Sequence, residues 1–213
     1  MRSILLSLVF GVTVTLAHGQ HTTGSLYVAP GIQAFSFTNL NSVLTQAGFH
    51  EVPMAIGFGT GGFGQHKHLR IGGEGYYFSG TGKRESTSTE LQGGWGYFYA
   101  GYKIGSHSWR FIPSMGLGWG GNSVSAIRPI STSLGDMMNN QPNTSRVSIG
   151  GTFLHTAITI EHDLPGQQYV AIKGSYNRGF ASNNEWSAPG LTTTVSDSFS
   201  GIQFSLLIGF ILP

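Results

Sequence analysis

His66 and His68 stand two residues apart, a spacing that sets two imidazoles on one face of an extended strand as a possible pair of metal ligands. No third ligand follows by spacing and the pair flanks a short polar turn, so the pattern reads as a solvated turn with no metal. Glu161, His162 and Asp163 hold the parts of an acid–base set, but neighbours along a strand point to opposite faces and a turn follows. His107 and Ser108 could suggest a lipid-hydrolysing pair. A nucleophile and its base are rarely adjacent at a turn, and no acid is placed to orient the imidazole. Gly59 to Gly64 and Gly116 to Gly121 both match GxGxxG, yet neither leads into a helical pattern, which dinucleotide binding requires. The chain has no Cys, so thiol catalysis, disulfides and Cys-type zinc sites are excluded. No catalytic, cofactor-binding or metal-ligating residue is predicted, and the chain is read as not an enzyme. A lipid-modifying activity dependent on His107 or His155, or a small-solute conduit, is the alternative, and a soluble periplasmic barrel that binds an apolar ligand is the third reading.

Composition explains why so little chemistry is on offer. Only 9% of the 213 residues are Asp, Glu, Lys or Arg, where a soluble domain carries about a quarter, and 33 are Gly. The formal charge of +2 arises from few groups, which gives no nucleic-acid footprint. With 39% hydrophobic and 12% aromatic residues the chain folds. Met1 and Arg2 precede the apolar run Ile4 to Leu16 and then Ala17, His18 and Gly19, the order of a secretory signal peptide. Cleavage is predicted after Gly19, which leaves residues 20–213 as one domain.

Period-two alternation then dominates. Ser108 to Gly120 puts Trp109, Phe111, Pro113, Met115, Leu117 and Trp119 on one face, and Gly201 to Leu212 puts Ile202, Phe204, Leu206, Ile208, Phe210 and Leu212 on one face. The opposite faces are thin, mostly Ser, Gly and Gln, with Arg110, Ile112 and Leu207 as the larger exceptions. In Thr89 to Lys103 the large residues Leu91, Trp95, Tyr97 and Tyr99 are again at odd positions. Eight such runs are predicted: Gly24 to Phe37, Val52 to Gly64, His68 to Ser79, Ser86 to Ile104, Ser108 to Gly121, Arg146 to His162, Tyr169 to Phe180 and Ser198 to Leu212. One short helix is predicted in the first long loop, from Leu40, Val43, Leu44 and Ala47, with Thr38 or Asn39 as cap and Gly48 as stop.

An even set of antiparallel strands closes into a barrel, and the thin face decides which way the apolar face points. A soluble surface of Gly94, Gly96, Ser114, Gly116 and Gly118 with hardly any Lys or Glu would be poorly solvated. Small residues do fill the interior of an eight-stranded barrel whose apolar face meets lipid. The fold class is therefore all-β: an eight-stranded antiparallel up-and-down transmembrane β-barrel. Trp109 and Trp119, ten residues apart, would lie roughly 25 Å apart along the membrane normal, matching two interfacial girdles. Tyr97 and Tyr99 are assigned with them to the lipid-facing aromatic girdle. Arg70, Glu74, Arg110, Glu161 and Lys173 fall on or near the thin faces, where charges must pair, and are assigned to an interior polar network of structural role.

The signal peptide, the Gly-rich strands Leu69 to Phe78 and Gly93 to Lys103, and the alternating last strand resemble the small outer-membrane β-barrel domain proteins of Gram-negative bacteria. The resemblance covers the whole chain. It implies export to the bacterial outer membrane, outer-membrane lipid and the barrel-assembly machinery as partners, a monomer, no cofactor and no nucleic acid. The role it implies is structural, anchoring or surface-interacting. Such barrels commonly end in an aromatic residue, whereas here Phe210 is followed by Ile211, Leu212 and Pro213.

Three expectations concern geometry. Pro30 and Pro113 lie inside predicted strands, where each removes a ladder hydrogen bond. The fourth and fifth strands should form a hairpin about Ser106, with Trp95 facing Leu117, Tyr97 facing Met115 and Tyr99 facing Pro113 on the outer surface. With both chain ends in the periplasm, Thr38 to Glu51, Gly80 to Glu85, Asn122 to Ser145 and Ala181 to Asp197 should form the outward loops.

Overall fold

The computed structural model describes residues 22–105, 108–128, 144–180, 185–187 and 195–212. The predicted cleavage site, Ser106, His107 and most of the third outward loop lie outside the described residues. Eight strands close one antiparallel barrel: β1 (Thr22–Phe35), β2 (Ala55–His66), β3 (Leu69–Arg84), β4 (Thr87–Tyr102), β5 (Trp109–Ile127), β6 (Thr144–Leu164), β7 (Gln168–Phe180) and β10 (Gly201–Leu212). Helix α1 (Thr38–Gln46) follows β1. The two-residue strands β8 (Glu185–Trp186) and β9 (Val195–Ser196) pair with each other between β7 and β10.

The register fixes the shape. A path perpendicular to the strands from Ser25 passes Phe63, Gly72, Tyr99, Gly116, His155, Asn177 and Gly201 and returns to β1 at Phe35, ten residues further on. A stagger of this size requires strongly tilted strands, about 40° from the axis, and an interior only wide enough for side chains.

Alternation sorts the residues between the two faces. On β10, Ile202, Phe204, Leu206, Ile208, Phe210 and Leu212 are exposed while Gln203, Ser205 and Leu207 are buried. On β5, Trp109, Met115, Leu117 and Trp119 point out, and Ile112, Asn122 and Val124 point in. β4 behaves differently. Its odd residues Leu91, Trp95 and Tyr97 are buried in the lumen, and the outward positions are Gly94, Gly96, Phe98 and Tyr102. The interior has room because large rings are laid on glycine backbone from neighbouring strands. A Cβ on Gly59 would meet the Tyr76 ring at 2.5 Å, one on Gly118 the Phe153 ring at 2.4 Å, and one on Gly120 Trp95 Cβ at 2.5 Å.

The expected β4–β5 register is corrected accordingly. Trp95 pairs with Gly120, Tyr97 with Gly118, Tyr99 with Gly116 and Phe98 with Leu117. The expectation placed both sets of large residues outward, but the Tyr and Trp side chains of β4 are interior, so odd residues of β4 face even residues of β5. The second outward connection is also tighter than expected. β3 and β4 extend to Arg84 and Thr87, leaving Glu85 and Ser86 as the turn, with Glu85 at φ 51°.

Both prolines fall where the ladder is interrupted. β1 pairs with β10 up to Val28–Ile208 and resumes at Gly31–Ser205, so Ala29 and Pro30 form no pairs on that side, while Pro30 keeps its place opposite Phe58 of β2. Continuous β4–β5 pairing ends at Gly101–Ser114, one residue short of Pro113, which remains opposite Ile158 of β6. The missing N–H groups therefore face gaps in the sheet.

Helix α1 buries Leu40 and Leu44 and leaves Val43 exposed. Its N-terminus has no local side-chain cap. Asp197 accepts from the backbone N–H of Asn39 through Oδ1 at 2.8 Å and from that of Leu40 through Oδ2 at 2.9 Å, and Trp186 Nε1 donates to the same Oδ2 at 2.9 Å. Phe37 packs edge-on against Trp186.

Candidate functional site

The polar interior is built in two layers from inward positions of adjacent strands. In the middle of the barrel Glu74 of β3 accepts from Tyr27 Oη at 2.5 Å, from Tyr97 Oη and from Lys173 Nζ of β7. Lys173 Nζ also donates to Tyr97 Oη at 2.7 Å and Tyr76 Oη at 3.2 Å. His155 of β6 stacks on Tyr97 with ring centroids 3.8 Å apart, and its Nδ1 pairs with Asn177 Oδ1 at 2.7 Å. Glu74, Lys173, Tyr97 and His155 are all buried.

Nearer the end that holds Thr22 and Leu212, Glu161 of β6 lies between two arginines. Arg70 Nη1 and Nη2 donate to its two carboxylate oxygens at 2.8 and 3.2 Å, and Arg110 Nε lies 3.0 Å from Oε1. Arg110 also pairs with Asp163, Arg70 Nη2 donates to Gln65 Oε1 at 3.0 Å, and the Arg70 guanidinium lies 3.6 Å from the Phe63 ring centroid. Glu161 is only 1% exposed. At the opposite end Phe35, Phe37, Phe78, Trp95, Phe153 and Phe199 form an aromatic layer beneath α1.

The residues singled out from sequence thus lie as follows. Arg70, Arg110 and Glu161 meet in one cluster, Glu74 and Lys173 in another. Trp109 and Trp119 are exposed on the outer wall, at 63% and 46%. Tyr97 and Tyr99 do not belong there. Tyr97 is 2% exposed and hydrogen-bonded to Glu74, and Tyr99 Oη lies 3.4 Å from Tyr27 Oη. A phenol is amphipathic, and in a wall built of glycine opposite β4 its hydroxyl finds partners inside. His66 and His68 do not converge: the His68 ring stacks on Tyr102 and its Nδ1 contacts Lys103 O, and no cluster of three ligating side chains occurs among the described residues. Tyr27, Tyr76, His155, Asn177 and Asp197 were not singled out from sequence. The inward parity of Tyr27, Tyr76, His155 and Asn177 was a usable signal, whereas nothing local marks Asp197 as the cap of a helix 158 positions earlier.

The outer wall carries Ile56, Phe58, Ile71, Tyr77, Phe98, Met115, Leu117, Ile172, Phe204 and Leu206, all exposed, with no formal charge among them. No helix of the described residues is long and apolar enough to cross a membrane. Among solved structures, a major outer membrane protein from Thermus thermophilus matches with a TM-score of 0.60, over 90% of this chain and 99% of the other at 9% identity. The fold is that of the small bacterial outer-membrane barrels. The attachment invasion locus protein of Yersinia pestis, in complex with the heparin analogue sucrose octasulfate, matches with a TM-score of 0.53 over 90% and 99% of the two chains, again at 9% identity. No family model matches the chain, and no curated protein matches it in sequence.

Proposed function

We propose that this chain is an integral outer-membrane barrel with a structural, anchoring or surface-interaction role and no catalytic centre. The observation that carries this reading is the inversion of burial: large apolar side chains on the outer wall, ion pairs and tyrosines inside. A closed barrel is one of the two architectures that satisfy every backbone group in lipid. The cavity between the ion-pair layers has room for about one water molecule, so neither solute passage nor substrate access is supported. His155 is held between Tyr97 and Asn177, and among the described residues no serine or threonine hydroxyl hydrogen-bonds its ring.

Thr22, Leu212, the turn at Lys67 and His68, Tyr102 and Trp109 at the ends of β4 and β5, and the turn at 165–167 share one end of the barrel, which is assigned to the periplasm. The other end carries α1, the Glu85–Ser86 turn, Ile127 and Thr144 at the ends of β5 and β6, and Phe180 at the end of β7. Lys83, Arg84, Arg128, Arg146 and Arg178 near that outer end are matched in number by Glu51, Glu85, Glu90, Glu185 and Asp197 among the described residues. The sulfated ligand of the Yersinia pestis protein is therefore not carried over to this chain.

Fractionation tests the reading. The chain should stay with the outer membrane until detergent is added, and recovery in a detergent-free periplasmic extract would overturn it. Leu117→Arg should cost up to about 2 to 4 kcal/mol of insertion free energy, and Trp109→Arg, nearer the interface, less. Both are read by the fraction of chain that is heat-modifiable on gels. A variant order with Trp109 the more damaging would contradict the placement of the belt.

A further inference from the structure

Among the described residues, the mouth at the end holding Thr22 and Leu212 carries more cations than carboxylates. Side by side on its inner rim come Arg70 from β3, Lys103 just beyond β4, Arg110 from β5, and Glu161 and Asp163 from β6, with Lys67 in the β2–β3 turn. Four cations meet two carboxylates, which leaves two positive charges. Both carboxylates are engaged by the arginines. Lys103 shares the inward parity of Tyr97 and Tyr99, and its backbone is fixed by donation of its N–H to His68 O at 2.7 Å and by His68 Nδ1 at its carbonyl at 3.0 Å. Among the described residues no carboxylate forms an ion pair with its ammonium. Burial, with Arg110 and Arg70 close by, holds that ammonium below the ordinary lysine range. Arg70, itself 4% exposed, keeps a buried Nε that has no acceptor. The interior ion pair of Glu74 with Lys173, by contrast, is balanced in charge and closed by Tyr27 and Tyr97.

We propose that this mouth is a binding site for a phosphate dianion, held by the Lys103 ammonium with Lys67 and the outer edge of the Arg110 guanidinium. Two negative charges match the two uncompensated positive ones, and an ammonium beside a guanidinium is a common recognition pair for phosphate oxygens. Because Lys103 and Arg110 face the lumen, a soluble phosphate group reaches them along the barrel axis more directly than a lipid headgroup on the outer wall does. Only the compartment the mouth faces rests on the orientation proposed above.

The test uses the full refolded barrel in zwitterionic detergent, titrated with inorganic phosphate, with the Lys103 Nζ resonance and Trp109 fluorescence as readouts. Saturable shifts are expected in both, with the Lys103 titration midpoint rising as phosphate is added. Lys103→Gln should weaken phosphate binding by roughly tenfold, as the loss of one charge-assisted contact does. Lys103→Arg should retain it, and Asp163→Asn should strengthen it by removing a competing acid. Addition of phosphatidylglycerol separates the sources: displacement of phosphate assigns the site to a headgroup, and no displacement to a free phosphate group. The site is overturned by a non-saturable response, by equal affinity in Lys103→Gln and the parent, or by weaker binding in Asp163→Asn. None of these depends on membrane localisation, so failure here leaves the outer-membrane reading standing.

Discussion

Glu74 receives hydrogen bonds from Tyr27, Tyr97 and Lys173 in a lumen that excludes bulk water. Removing one partner of a buried ion pair leaves the other charge uncompensated, which costs about 3 to 5 kcal/mol, while replacing both by neutral groups costs far less. Glu74→Gln or Lys173→Met alone should therefore lower the urea midpoint of the folded barrel strongly, and the double variant should recover most of it. Two independent, additive losses would show that the groups do not act as a pair. The glycines divide in the same physical way. Gly59 faces the Tyr76 ring, so Gly59→Ala overpacks the lumen and should cost about 1 to 3 kcal/mol, whereas Gly75, whose nearest atom to an added Cβ is 3.8 Å away, should accept Ala without loss. Equal melting shifts for the two would contradict the ring-on-glycine packing. At this scale the charges were legible in the sequence, because a charged side chain in a wall that meets lipid has only one favourable side. The tyrosines were not. Tyr97 and Tyr99 satisfy both a lipid interface and a polar lumen by type, and the choice is made by glycines on other strands.

At the scale of elements, strand number and the position of α1 followed from periodicity and punctuation, and register did not. Hairpin register depends on where the turn lies, and the connection from Lys103 to Ser108 is longer than the three residues Gly105 to His107 that fix parity on paper. A cysteine pair at Phe98 and Leu117 should crosslink efficiently in the folded barrel, since the two residues are direct partners. A pair at Tyr97 and Met115, which lie on opposite faces of the wall, should not. The reverse result would restore the register centred on Ser106. The cap of α1 was illegible for a related reason. Phe37 at the N-cap position offers no side-chain acceptor, and the acceptor comes from the far end of the chain. Closure of the barrel brings β10 beside β1, and only then does Asp197 sit over the helix N-terminus, where a carboxylate interacts favourably with the unpaired N–H groups.

For the whole molecule the three interior layers act in series. The outer end is filled by Phe35, Phe78, Trp95, Phe153 and Phe199 under α1, the middle by the Glu74 and Lys173 cluster, and the inner end by Arg70, Arg110 and Glu161. An ion crossing such a lumen would have to displace each layer in turn, and the lower two are held by side chains of the barrel strands and not by the loops. The purified barrel in planar bilayers should therefore show no steady single-channel conductance. Replacing residues 37–53 by a short turn removes α1 and its contacts with Asp197 and Trp186 but leaves Tyr27, Tyr76, Tyr97, Glu74 and Lys173 in the wall. The shortened barrel should remain closed. Conductance that appears only in the shortened barrel would make α1 a gate and would favour the conduit reading. Conductance abolished from an open parent by strengthening the inner layer would place the barrier at Glu161 instead. A barrel closed in both forms means that the seal is built into the eight strands themselves, which is what the pairing of every central charge with a side chain from another strand requires.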